Sequence, residues 1–147
     1  MLGKLARWMR ILGYDTAYER VIEDERLIER MLNEDRWLVT RDRYLVQRKT
    51  LRGRHTLIRS DHLKDQLRQL QRELGLNLDP HEQRPYRCAD CNVILQAMSR
   101  ERAVSLVPHF VAAQHSEFIG CPLCGRVYWP GTHWTNLCRQ LEQLRQT

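Results

Sequence analysis

The stretch Trp37-Leu38-Val39-Thr40-Arg41-Asp42 decides the fold class. Leu38 and Val39 form a short apolar run behind a bulky aromatic, with helical patterns on either side. Such a run reads as a buried parallel strand. Ligands of open α/β sheets sit just beyond the carboxyl ends of the strands. Asp42 therefore stands on the functional edge. Two readings of it stay open. It caps the helix that follows, or it serves a metal ion and a phosphate together, with Arg41 and Arg43 beside it. What else reaches that edge discriminates between them.

Working outward, residues 2–12 carry Leu2, Leu5, Trp8, Met9 and Leu12 at helical spacing, with Lys4, Arg7 and Arg10 as a basic stripe opposite. Gly13 stops that helix. Thr16-Ala-Tyr18 reads as a short strand. Asp24 opens a helix with Leu27, Ile28, Met31 and Leu32 on one face. After Trp37–Thr40, residues 42–49 read as a short helix carrying Tyr44 and Leu45. Arg52-Gly53-Arg54 is a turn and residues 56–59 a further strand. Ser60 then caps a helix with Leu63, Leu67, Leu70 and Leu74 aligned, ended by Gly75. Helix and strand alternate, which predicts a mostly parallel sheet covered by helices. The alternation begins with a helix, so the sheet reads as one strand short at its start.

The expected organisation is an α/β domain over 1–75, a linker over 76–85, a cysteine-bearing module over 86–134 and a closing helix over 135–147. The formal net charge is +6. Residues 1–75 hold 17 Lys and Arg against 12 Asp and Glu, which accounts for +5 of it. From Arg41 to Arg59 there are seven basic residues and one acid, Asp42. A face of this kind suits a polyanion, with nucleic acid as the default partner. Its expected contacts are Arg41, Arg43, Arg48, Arg52 and Arg54, extended by Lys4 and Arg7. A solvated arginine-rich surface is the plainer reading. No stretch approaches the ~18 apolar residues of a membrane span. The N-terminus is no secretory signal, because cations interrupt its apolar residues, though it faintly resembles an amphipathic transit peptide.

Cys88-Ala-Asp-Cys91 and Cys121-Pro-Leu-Cys124 are two CxxC knuckles separated by 29 residues. Two such turns can place four thiolates tetrahedrally around zinc, and Gly125 eases the second turn. A four-cysteine shell has no open position, so this metal is expected to be structural. Four thiols in two tight pairs also suit a reducing compartment, and the expectation is a cytoplasmic protein. Cys138 is spare and reads as a small buried hydrophobe. His133 is expected to make a hydrogen bond or to touch RNA rather than to bind the metal. Tyr128, Trp129 and Trp134 either stack on bases or form the module's own small core.

Three acids share one logic. Asp24 begins a helix, and Asp42 and Asp61 follow strands. In a parallel layout all strand-to-helix junctions lie on one edge. Carboxylates gathered there bind Mg²⁺ or Mn²⁺, and such ions can activate water for phosphodiester cleavage. Asp24, Asp42 and Asp61 are thus the candidate catalytic residues. Asp15, Asp35 and Asp65 fit less well. Asp15 follows a helix-ending glycine, Asp35 sits in a turn before a strand, and Asp65 lies inside a helix and is expected to pair with a cation.

Together the N-terminal residues Met1 to Thr16 (Met-Leu-Gly-Lys-Leu-Ala-Arg-Trp-Met-Arg-Ile-Leu-Gly-Tyr-Asp-Thr), Thr40-Arg-Asp42, Ser60-Asp61, the paired knuckles and Tyr128-Trp-Pro-Gly-Thr-His-Trp134 resemble the Mut-seven-C RNase domain family, a PIN-like nuclease domain fused to a zinc ribbon. The resemblance covers nearly the whole chain. It implies a PIN-like three-layer α/β/α fold and metal-dependent RNA hydrolysis. Asp42 matches the acid of the PIN Thr-x-Asp pattern, Asp61 the acid after the next strand, and Asp24 the helix-opening acid. The family pattern has a first strand ending in Asp just upstream of Met-Leu-Gly, and this sequence lacks both. The start codon is then misassigned, or the chain is a shortened, inactive member. Two rival readings remain: a non-catalytic RNA-binding or ribosome-associated adaptor, and a protein-interaction zinc ribbon.

Overall fold

The structure, a computed structural model, describes residues 2–82 and 85–146. Met1 of the N-terminal motif, Gln83 and Arg84 of the expected linker, and Thr147 of the expected closing helix lie outside the described residues. The chain divides into two compact units. One comprises Met1–Leu5 and Tyr18–Asn77, the other Ala6–Ala17 and Leu78–Thr147. Helix α1 (Gly3–Ile11) contributes residues to both.

In the first unit, α2 spans Asp24–Asn33, β1 Leu38–Thr40, β2 His55–Leu57 and α3 Leu63–Leu74. Strands β1 and β2 pair in parallel with Leu38 opposite His55 and Thr40 opposite Leu57. The ladder extends at both ends. Leu38 N–H donates to Arg54 O at 3.0 Å and Ile58 N–H to Thr40 O at 2.8 Å. Ile28, Met31, Leu38, Leu45 and Leu51 form one buried cluster, with Leu27 against it. Each such side chain contributes about 1.5–3 kcal/mol by leaving water.

The crossover from β1 to β2 departs from expectation. Residues 42–49 do not form one α-helix. Two 3₁₀ turns, Leu45–Gln47 and Lys49–Leu51, do the work, and they bury Leu45 and Leu51. Arg52 ends the second turn at φ 54°, a conformation that tight reversals demand. Helix α3 is tied to β2 by Gln69. Its Nε2 donates to Leu57 O at 2.7 Å and its Oε1 accepts from Arg59 N–H at 3.1 Å. Gly75 closes α3 at φ 66°. Ser60 sits one turn before the helix, where its hydroxyl accepts from His62 N–H and donates to Asp65. Asp65 thus meets a hydroxyl rather than the expected cation.

In the second unit, β3 (Gln96–Met98), β4 (Phe118–Gly120) and β5 (Val127–Tyr128) form an antiparallel sheet in that order. Two short helices lie between β3 and β4, namely α4 (Arg100–Val104) and α5 (His109–Gln114). Ala103, Val111 and Phe118 form a core with Met98, Val107, Val127 and Trp129 packed against it. Helix α6 spans Thr132–Arg145 and buries Leu137, Leu141 and Leu144. It begins three residues earlier than expected, directly after Gly131. Thr16–Tyr18 forms no strand among the described residues. Thr16 N–H donates to the Asn92 side chain instead, at 2.9 Å. No helix among the described residues is long and apolar enough to cross a membrane.

Candidate functional site

The four knuckle cysteines converge. Their Sγ atoms all lie within 4.8 Å of one another, and Cys88 Sγ is 3.8 Å from Cys124 Sγ. A tetrahedral zinc with Zn–S of ~2.3 Å needs S···S separations of roughly 3.8 Å, so the set fits a structural zinc ion. Both knuckles are built alike. Asn92 N–H donates to Cys88 O at 2.9 Å, and Gly125 N–H to Cys121 O at 3.0 Å. The two donors take the left-handed conformation, φ 67° at Asn92 and 78° at Gly125. Gly125 was legible as a turn residue. Asn92 is its counterpart, and asparagine is among the few other residues that accept that region readily. The Asn92 side chain also donates to Asp15 at 2.7 Å.

Three further residues support the first knuckle, and none was singled out for this role from the sequence. Arg10 is buried, at 7% exposure. Its Nε donates to Thr16 O at 2.8 Å, and its NH1 to Ala89 O at 2.8 Å and Asp90 O at 3.2 Å. Asp90 in turn pairs with Arg7 and with Arg126, the latter at 2.8 Å. Tyr128 Oη accepts from Ala89 N–H at 3.1 Å and lies 3.4 Å from Cys88 Sγ. Having accepted that hydrogen bond with its oxygen, the hydroxyl keeps its own hydrogen to donate to the sulfur. A basic residue three before a glycine, or a tyrosine after a knuckle, carries no sequence signal for these contacts.

Without a metal, the thiols would share their protons unevenly. Burial pushes Cys88 up, but the Tyr128 hydroxyl, the Cys91 and Asp90 N–H groups and the Cys124 thiol outweigh it and leave Cys88 at about 7. Cys91 is pushed up to about 12, by burial first and then by its hydrogen bond with Cys124 and the charge on Cys88. Burial, then the hydrogen bond to Cys88, push the Tyr128 phenol up, which keeps it a donor. Burial lowers the Arg10 pKa, while charge on Cys88, Asp90 and Cys91 acts to raise it.

The acidic edge of the first unit is arranged differently. Asp42 and Asp61 both lie beyond the carboxyl ends of the paired strands. Asp42 Oδ1 accepts from Tyr44 N–H at 2.8 Å and Leu45 N–H at 3.1 Å, and so caps the turn that follows. Asp61 pairs with Arg41. Asp24 opens α2 as expected, and Arg48 lies 3.6 Å from it and 3.1 Å from Glu25. Among the described residues, the cysteines form a group able to hold one ion, and the carboxylates of Asp24, Asp42 and Asp61 do not form another.

Of the expected RNA contacts, Arg41 and Arg48 are thus engaged with acids, Arg54 pairs with Asp35 at 2.6 Å, and Arg7 pairs with Asp90. Lys4, Arg43, Arg52 and His133 are exposed. His133 lies in the first turn of α6. The three ribbon aromatics are used within their own unit: Tyr128 at the knuckle, Trp129 packed against the core, and Trp134 edge-on to Tyr86 at 5.4 Å. Cys138 is a free, half-buried thiol, whose pKa burial raises, with help from the charge of Asp79.

A family model described as the Mut7-C RNAse domain matches residues 1–141. No curated protein and no solved structure matches the chain.

Proposed function

This chain belongs to the Mut7-C RNAse domain family, and on that premise we propose that it hydrolyses RNA phosphodiesters with a divalent metal ion at the carboxyl edge of β1 and β2. One observation carries the reading. Thr40 and Leu57 stand opposite each other in a parallel pair, so Asp42 and Asp61 leave the sheet by the same edge, in a segment dense in arginine. The reading takes the first unit as the PIN-like α/β/α layer structure and the second as a zinc ribbon that helps to grip the RNA, in a reducing, cytoplasmic setting.

Mg²⁺ or Mn²⁺ is the cofactor the family implies, and Asp24, Asp42 and Asp61 supply donors of the right kind. They do not close on one ion as folded, because Asp24 and Asp61 face arginines. No catalytic step is therefore derived through the metal. The chain's own residues have assignable work. Asp42 fixes the turn with one carboxylate oxygen and keeps the other for the reacting region. Arg43 and Arg52, exposed, meet phosphates. Arg41 and Arg48 do so by exchanging a carboxylate for a phosphate. Lys4 extends this face. On the second unit Arg7 and His133 are the candidate RNA contacts.

The test is cleavage of a labelled RNA with added Mn²⁺. Asp42→Asn should slow it by at least about a hundredfold, the scale of a lost metal or proton-transfer group. The engagement of Asp24 and Asp61 with arginines favours a second reading, a non-catalytic RNA-binding adaptor. Salt-sensitive RNA binding by the wild type, without cleavage at saturating Mn²⁺, would establish that alternative and dismiss hydrolysis.

A further inference from the structure

Two residues after Asp42 stands an exposed aromatic. Tyr44 keeps 84% of its surface in solvent, and its ring and hydroxyl have no polar partner among the described residues. Trp37, another exposed aromatic of the first unit, is 46% exposed and spends its indole N–H on Thr56 Oγ1 at 2.9 Å. Trp37 is accounted for by the sheet, and Tyr44 is not. Its placement is nevertheless fixed. Its own N–H donates to Asp42 Oδ1 at 2.8 Å, and the next residue, Leu45, is 3% exposed in the core with Ile28, Met31 and Leu38. The ring is thus held out into water from a backbone pinned on both sides. It also stands within the run of seven cations and one acid between Arg41 and Arg59. A flat π-face beside guanidinium groups is how proteins hold an unpaired nucleotide, the ring taking the base and the cations the phosphates.

From this we infer that Tyr44 is a base-stacking residue that seats an unpaired nucleotide next to the phosphate presented to Asp42. The inference rests on the reading of the chain as an RNA-acting protein and deepens it by naming the substrate class: single-stranded RNA, or an unpaired loop, rather than continuous duplex. A base inside a duplex has no free face, so stacking on Tyr44 requires an unstacked nucleotide. Tyr44 positions substrate and takes no part in bond-making.

The experiment is fluorescence anisotropy on the zinc-loaded full chain without added divalent ion, with a short labelled single strand and a duplex of the same length. Tyr44→Ala should weaken single-strand binding about tenfold, and Tyr44→Phe, which keeps the ring, should bind like wild type. The salt slope should not change, because no phosphate contact is removed. Duplex binding should be unaffected. Tyr44→Ala binding the single strand like wild type, or losing both RNAs equally, would overturn the inference while leaving RNA binding in place. A wild-type chain that binds neither RNA would overturn both. Circular dichroism and zinc content confirm that the variants are folded, which the exposure of the ring makes the expected result.

Discussion

In the cysteine knuckles, four soft donors on two tight turns come within 4.8 Å of one another. At the edge of β1 and β2, hard donors on separate junctions are engaged apart: Asp42 caps a turn and Asp61 meets Arg41. The difference is electrostatic. A thiol can stay neutral until a metal takes its proton, so thiols crowd at little cost. Carboxylates are charged at neutral pH, and two of them 4 Å apart repel by ~4 kcal/mol at an effective dielectric of 20. A folded chain can gather cysteines ahead of their ion. It gathers aspartates only against a shared counter-charge, and here Arg41 and Arg48 instead engage Asp61 and Asp24 separately.

Removing the metal should break this contrast most severely. Structural zinc contributes on the order of 10 kcal/mol to small modules. Chelation, or Cys88→Ser, should melt the second unit at ordinary temperature, read by thermal denaturation beside a zinc assay. A second unit that stays folded without zinc would reduce the knuckles to ornament. On the acidic side, Asp42→Asn tests chemistry apart from folding. Asparagine caps as well as aspartate, so the melting temperature should hold while cleavage falls at least about a hundredfold. A matching loss of stability would mean that Asp42 is only a cap.

The supports of the first knuckle come next. Arg10→Ala strands the carbonyls of Thr16, Ala89 and Asp90 and should cost about 3 kcal/mol in denaturant unfolding, since bonds from a charged donor are the strong ones. Arg10→Lys, without the planar fork, should recover only part of that. Tyr128→Phe should have the smallest effect, weakening zinc affinity about tenfold, as outer-shell losses do. Its sign with pH is fixed. The hydroxyl helps to hold the Cys88 thiol down to about 7. Without it, protons compete better for the sulfur, and the pH of half-release must rise. A release midpoint that stays put would separate Tyr128 from the metal.

Spacing made the cysteine site legible, because two CxxC pairs leave few other geometries. The parallel pairing of β1 and β2 was legible from short apolar runs between helical patterns. Partnership was not. The periodicity of Leu5, Trp8, Met9 and Leu12 announces a buried face but cannot say what covers it, nor that Ala6–Ala17 groups with residues beyond Leu78. The same blindness hid Arg10, which a helical wheel places on a solvated stripe and the fold buries. Asn92 escaped because a left-handed asparagine looks like any polar residue, whereas Gly125 advertises itself. The 3₁₀ turns of the crossover escaped because Asp42 tightens the chain by binding two successive N–H groups, and no periodicity records that.

The burial of Arg10 has one more consequence. Zinc held by four thiolates carries a formal charge of minus two, which makes its sulfurs electron-rich and open to alkylating agents and oxidants. A guanidinium cannot shed its proton at physiological pH. Lodged against the backbone of the first knuckle, Arg10 draws on that excess across the physiological pH range, so the Cys88 and Cys91 sulfurs should be poorer nucleophiles than those of the second knuckle, and Cys124, the exposed one, the first to be attacked.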